Sequence, residues 1–427
     1  MYIPVINLLQ FSLSSLTKVF DFVPGVDSLN ANSWQRFGVL TPYHDRPQVP
    51  GVWADLPSDC AVDQVMLLHR HGSRGPGGER VLIEKLAKTL DNATLPHNLP
   101  KNLRFLKDGY HSDLVPEELT LMGRKQLFDH GVEFALQYPT LFTDTFLSST
   151  VQRVIESAEY FKLGFGQDAE IITIDELDLP VNWILPFDSC PKFNSTVFKK
   201  TSTEWAKKYI PPITERLNRL LPGVGLSDDD VQGALYACPY EIAAHGASSW
   251  CGVFLREELR SFDYQSDLQM DNWGGHISRN DLGPVLGSVY VNKLIERFTN
   301  ATGDAQELYL EFGHDISFLV ALAAMNLNKD KVPLTPDHIR SPRKFRSSDQ
   351  TPFAARMIWE RFSCKKSFKG PQIRLLLNGA TYPLPMCQNS LRDRKFGTCS
   401  LAEFVKANSY STNIHFHDKT WNASCEF

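Results

Sequence analysis

Residues 64–68 read QVMLL, and directly behind them stands His69-Arg70-His71-Gly72-Ser73-Arg74-Gly75-Pro76. A five-residue apolar run between polar neighbours is long enough for a buried strand and too short for a helix. After the glycine- and proline-rich residues 72–78, apolar side chains return at Val81, Leu82, Leu86 and Leu90, a helical period. The segment predicts a strand, a glycine-rich turn and a helix, so the chain needs a sheet to receive the strand and a helical layer against it.

The rest of the chain repeats this grammar. Residues 117–138 predict a helix started by Pro116, with Leu119, Leu121, Leu127, Val132 and Leu136 sharing faces. Residues 142–146 predict a strand ending in the Ser148-Ser149-Thr150 turn, followed by a helix over 151–163 and a short β-branched strand at 171–174. Residues 307–312, ELYLEF, predict a further strand, with an apolar helix over 316–327 directly behind it. Residues 373–384 predict a hairpin turning at Asn378-Gly379. Between 188 and 271 the pattern is helical, rich in Trp, Tyr and Phe, and has little strand signal. The expected fold is therefore α/β: a sheet domain flanked by helices, with a smaller α-helical domain inserted. The expected boundaries are an extended lead-in over 1–40, the sheet domain over 41–187 and 272–427, and the insertion over 188–271.

Composition limits the partners. Forty-four Lys and Arg against 49 Asp and Glu give a formal net charge of −5, which argues against a nucleic-acid binder. The longest apolar stretch, residues 318–327, is about half of the roughly 18 residues a membrane span needs. Eight cysteines, at Cys60, Cys190, Cys238, Cys251, Cys364, Cys387, Cys399 and Cys425, include no CxxC pair, so disulfides are expected in place of a metal site. Sequons stand at Asn92, Asn194, Asn300 and Asn422. Together these favour a secreted or extracellular glycoprotein. Residues 1–16 lack the basic start of a signal peptide, leaving an upstream start, an atypical leader or a cytosolic protein with free thiols.

Chemistry concentrates at two strand-to-helix junctions. In open α/β sheets ligands bind beyond the carboxyl ends of the strands, where helix N-termini add N–H donors and a positive dipole end. Arg70 and Arg74 can each present a bidentate fork to phosphate oxygens, and His71 between them can accept a phosphoryl group covalently. Gly72 and Gly75 are expected to let the backbone approach the ligand. At the second junction, Gly313-His314-Asp315, Asp315 can protonate a leaving alkoxide and His314 can contact phosphate. The structural alternative for Asp315 is a helix cap. Arg153, behind the Ser148-Ser149-Thr150 turn, is the expected third arginine.

RHGSR followed at a distance by HD resembles the histidine acid phosphatases, in particular their fungal phytase and acid phosphatase branch. QVMLLHRHGSRGP, ELTLMGRKQ, SSTVQRVIESAEYFKLGF, SSWCGVFLREEL, DLGPVLGSVYVNKLIERF and EFGHDISFLVALAAMNL fall in family-like order, so the resemblance covers roughly residues 40 to 427. It implies a phosphoglycerate-mutase-like sheet domain, His71 as phosphorylated nucleophile, Asp315 as proton donor, and Arg70, Arg74, Arg153 and His314 around the phosphate. It implies neither metal nor cofactor, and the pairs Cys60–Cys364, Cys190–Cys425, Cys238–Cys251 and Cys387–Cys399. Cysteine spacing by itself leaves 105 pairings open.

Departures from the family concern the substrate. Phytases typically read RHGARYPT, whereas Gly75 stands here for the aromatic residue and Pro76-Gly77-Gly78-Glu79 follow. Leu268-Gln269-Met270 stands where phytases often carry lysines, and Ile316 where Asn is common. A hexakisphosphate needs many cations at once, so this thin basic complement argues against a phytate preference. The expected activity is hydrolysis of phosphomonoesters, with phytate a possible substrate. The alternatives are a phosphate-ester-binding protein of impaired activity and a phosphomutase; the expectation leaves oligomeric state open.

Overall fold

The computed structural model describes residues 35–175, 181–187, 189–193, 199–277 and 281–426. Among these residues one mixed sheet has eight strands in the order β3-β2-β4-β1-β5-β6-β7, with β8 paired to β6. The strands are β1 (Cys60–Arg70), β2 (Thr145–Ser149), β3 (Glu170–Ile174), β4 (Leu308–Gly313), β5 (Arg356–Cys364), β6 (Gln372–Leu377), β7 (Ala380–Tyr382) and β8 (Cys399–Ser400). β3, β2, β4 and β1 run parallel, while β5 turns the sheet antiparallel from there on. The α/β class is as expected.

Alternation along β1 explains its burial on both sides. Val65 and Leu67 face α2 (Leu121–Gln137) and α3 (Gln152–Phe165), joining Leu127, Phe134, Phe146 and Phe161 in one core. Met66 and Leu68 face α7 (Leu282–Thr299) and α8 (Asp315–Ala324), joining Val291, Leu294, Phe318 and Leu322 in another. A strand covered by helices on both faces reads as a continuous apolar run, which is why QVMLL lacks the alternation of a half-exposed strand. The helix behind the turn, α1 (Arg80–Asp91), buries Ile83, Leu86 and Leu90.

Residues 188–271 contribute α4 (Lys200–Leu220), α5 (Asp228–His245) and most of α6 (Arg256–Gly274). Their core also takes in Ile83, Leu86 and Leu90 of α1 together with Phe37 and Leu40. The expected lead-in of residues 1–40 lies outside the described residues up to position 34. Among the described residues no helix is long and apolar enough to cross a membrane.

Two expectations for α2 fail. It starts at Leu121, four residues after Glu117, because the Thr120 hydroxyl accepts from the Gly123 N–H at 3.0 Å as the cap. Leu121 and Leu136 are 78% and 77% exposed; the buried face is Gly123, Leu127, His130, Gly131 and Phe134. Glycine packing decides this. A Cβ on Gly131 would stand 2.1 Å from the Phe161 carbonyl, and one on Gly164 2.0 Å from the Phe128 carbonyl, so α2 and α3 touch backbone to backbone. Apolar periodicity cannot register a face built from residues without side chains.

The hairpin turns at Asn378 and Gly379, both with positive φ (48° and 81°), as the Asn-Gly pair requires. All four disulfides implied by the resemblance are formed. Cys60 and Cys364 are direct register partners across β1 and β5. Asn92 and Asn300 are exposed and Asn422 is half-buried. Asn194 lies outside the described residues.

Candidate active site

Sheet register assembles the first half of the site. Arg70, the last residue of β1, pairs with Gly313, the last of β4, and the His71 N–H donates to the Gly313 carbonyl at 3.1 Å. His71 and His314 therefore leave adjacent parallel strands side by side, their rings 5.7 Å apart and edge to face. Asp315 opens α8 and accepts from the Ile316 N–H through Oδ1 at 2.8 Å, while its Oδ2 meets Arg70 at 2.8 Å. It occupies the first helical turn, where a carboxylate is electrostatically favoured, and still turns one oxygen into the site.

Arg70 is 1% exposed and rigidly held. One terminal nitrogen donates to the carbonyls of Val39 and Thr351, both at 2.6 Å, and the guanidinium lies 4.7 Å from the centre of the Phe353 ring. Burial pulls it down to about 10 against the opposing attraction of Asp315. At that value it stays charged in acid and neutral solution. Arg74 donates to the Gly75 carbonyl at 2.8 Å and to the Tyr240 hydroxyl at 3.4 Å. Tyr240, buried in α5, in turn donates to Glu79 at 3.0 Å. Burial disfavours the Arg74 cation, but Tyr240, Glu79 and Glu117 outweigh it and hold the group above its ordinary value. The Nε atoms of Arg70 and Arg74 are buried without a hydrogen-bond partner, donors that an anion between them would satisfy.

Arg153 enters from the first turn of α3. That turn is tied to the loop after β1, because Ser157 donates to the Arg153 carbonyl at 2.6 Å and accepts from the Gly72 N–H at 3.1 Å. Arg153 pairs with Glu117 at 3.0 Å, and the same Glu117 oxygen is 3.9 Å from Arg74. Glu117 holds a positive φ of 65°, uncommon for a residue with a side chain. Its carboxylate fits there because Gly77 has no Cβ; one would stand 2.3 Å from Oε1.

His71 is 2% exposed, and its Nδ1 lies 2.9 Å from the Gly72 carbonyl. A carbonyl can only accept, so Nδ1 carries the proton and Nε2 keeps its lone pair. Burial, then the charges of Arg70, Arg153, Arg74 and His314, drives the imidazole well below its ordinary value. A neutral ring with a free Nε2 amid three arginines persists into acid solution.

The six expected site residues thus lie at one sheet edge. Gly72 and Gly75 correct one expectation: they admit neighbouring chain in place of ligand. A Cβ on Gly72 would meet the Gly123 carbonyl at 2.6 Å, and one on Gly75 the Val115 carbonyl at 2.0 Å. Sequence reasoning missed Glu79, Glu117, Tyr240 and Phe353. Each acts through tertiary contact, and only Glu79 and Glu117 lie next to a motif.

Comparison with known proteins bears on the family and the fold. Residues 61–378 match the model of the histidine phosphatase superfamily, branch 2. The thiamine-repressible acid phosphatase pho4 of Schizosaccharomyces pombe is 31% identical, covering 91% of this chain and 90% of its own. Phytase A of Arthroderma benhamiae is 30% identical over 88% of this chain and 90% of its own. The crystal structure of the phytase from D. castellii superposes with a TM-score of 0.80 at 23% identity, covering 92% of this chain and 87% of that one, which bears on the fold. With that family match over most of its length, the chain belongs to branch 2 of the histidine phosphatase superfamily and is a histidine acid phosphatase, a phosphomonoesterase.

Proposed function

We propose that this chain is a secreted acid phosphatase that hydrolyses phosphomonoesters through a phosphohistidine on His71. The observation that carries the reading is the hydrogen bond from His71 Nδ1 to the Gly72 carbonyl at 2.9 Å, which leaves Nε2 as nucleophile beside Arg70, Arg74 and Arg153. In the first step Nε2 attacks phosphorus, the N–P bond forms, and the ester P–O bond breaks with its electron pair on the leaving oxygen. Asp315 delivers a proton to that oxygen, and the alcohol departs. In the second step water attacks phosphorus and the Asp315 carboxylate takes its proton. The N–P bond then breaks, returning the pair to Nε2 and releasing phosphate. The arginines and His314 stabilise charge on the equatorial oxygens throughout.

Secretion is supported by the four disulfides and by the exposed sequons at Asn92 and Asn300. Phosphate esters of small alcohols and phenols are the expected substrates. Phytate fits the names of several relatives but meets few lysines here, so it is the slower substrate in this reading.

The test compares two variants on two esters. His71→Ala should lose hydrolysis of para-nitrophenyl phosphate by at least about 10³-fold with an unchanged circular dichroism spectrum. Near-normal turnover by that variant would end the proposal. Asp315→Asn should slow an alkyl phosphate at least about tenfold more than the activated phenyl ester, because only the poor leaving group needs the proton. Equal slowing of both would remove Asp315 from the role of general acid.

A further inference from the structure

Away from the active site, the chain between α8 and the short α9 (Ser347–Gln350) concentrates positive charge. Residues 326–346 carry Lys329, Lys331, Arg340, Arg343, Lys344 and Arg346, with His338, against Asp330 and Asp337, in a protein whose net charge is −5. Both aspartates are engaged within the fold. The Asp330 carboxylate accepts the backbone N–H groups of Lys344 at 2.7 Å and Phe345 at 3.1 Å. Asp337 pairs with Lys208 at 3.0 Å. Of the cations, Arg343 is neutralised where it lies buried, meeting Asp263 at 2.9 Å and Asp267 at 2.6 Å on α6.

Of the remaining cations, Lys331, Arg340 and Lys344, together with His338, line a cavity of about 450 Å³, with the engaged Asp330 at its edge and Val332, Ile339 and Pro342 supplying apolar wall. No ion pair of Lys331, Arg340 or Lys344 occurs among the described residues. The Arg340 Nε is buried with no hydrogen-bond partner. A buried donor without a partner costs stability, and three cations around one concavity raise the local concentration of anions. The volume lies in the range of small-ligand sites.

We propose that this cavity is a second anion site, separate from the catalytic one, which takes a small free molecule bearing two phosphate or sulfate groups. Arg340 supplies the planar fork, and Lys331 and Lys344 supply point charges on either side. Arg343 also lines the cavity, its own charge spent on Asp263 and Asp267. Nothing in this site touches the reacting atoms. Its role is to bind an anion apart from the catalytic groups.

Calorimetric titration with methylenebisphosphonate, a diphosphate that cannot be hydrolysed, tests this. The wild-type chain should bind two equivalents, one at the arginines of the active site and one in the cavity. The triple variant Lys331→Ala, Arg340→Ala, Lys344→Ala should bind one, while its kcat/KM on para-nitrophenyl phosphate stays within about twofold of wild type and so shows that it is folded. A wild-type stoichiometry of one, or two equivalents retained by the triple variant, would overturn the proposal. His71→Ala should keep both equivalents, which separates failure of the catalytic reading from failure of this one.

Discussion

Glu117 puts a carboxylate between two of the arginines proposed to hold phosphate. Arg153 and Arg74 meet it at 3.0 and 3.9 Å, and a left-handed backbone together with a missing Cβ at Gly77 holds it there. In the proposed reading, phosphate at the two arginines competes with this internal anion. In Glu117→Gln, inhibition by inorganic phosphate should tighten about two- to fivefold, the size of a half-exposed ion pair, with KM falling in parallel. Weaker inhibition in that variant would mean that Glu117 aligns the arginines and does not compete. Individual residues differ in how visible they are from sequence. Arg70, His71, Arg74, His314 and Asp315 stand out because reactive types crowd at strand ends, and Arg153 follows once the other five are in place. Glu117 and Tyr240 do not stand out, since one lies on a loop and the other inside an apolar helix, and their meaning arises only from what the fold brings to them.

Among elements, α2 and α3 pack backbone to backbone. Their crossing depends on Gly131 and Gly164, each facing a carbonyl at a distance no Cβ tolerates. Gly131→Ala should cost about 1–3 kcal/mol as the helices move apart, measured by urea unfolding. Gly252→Ala, where a Cβ would meet nothing within 4 Å, is the control. A loss no larger than the control's would show that the helices repack freely. The sequence made the parallel strands and the helices behind them visible because each pairs a short apolar run with a turn signal. It concealed β5, whose inward residues include Arg356 and Glu360, polar groups that become core only through Tyr43, Glu133, Tyr138 and Arg374. It also concealed the buried face of α2, where glycines do the packing.

Across the whole molecule, buried imidazoles contribute to the loss of stability in acid. His69 donates from Nδ1 to the Arg70 carbonyl at 2.7 Å, and its Nε2 meets His130 Nδ1 at 3.0 Å, so the pair is neutral and its protons are directed toward the strand end. Burial lowers His69 to about 3 and takes His130 well below its ordinary value. Below pH ~6.5 the unfolded chain takes up protons that the folded chain refuses, so stability falls with pH, at up to ~1.4 kcal/mol per unit for each such histidine. His130→Gln should therefore flatten the decline of Tm between pH 6.5 and 4. An unchanged slope would place the acid sensitivity elsewhere. The opening motif and the eight cysteines foretold the sheet edge and its clasps, but this histidine pair needed the fold, since His130 is 61 residues from its partner.

The site itself is stitched from distant chain: Val39 and Thr351 hold Arg70, α5 holds Arg74 through Tyr240, α3 brings Arg153 and β4 brings His314. A ligand that joins these groups binds the native chain and has nothing comparable to bind once they separate. By mass action, phosphate at ~100 times its dissociation constant adds ~2.7 kcal/mol to the folded state. The enzyme is thus most resistant to heat and proteolysis where phosphate has accumulated, and least resistant where phosphate is scarce.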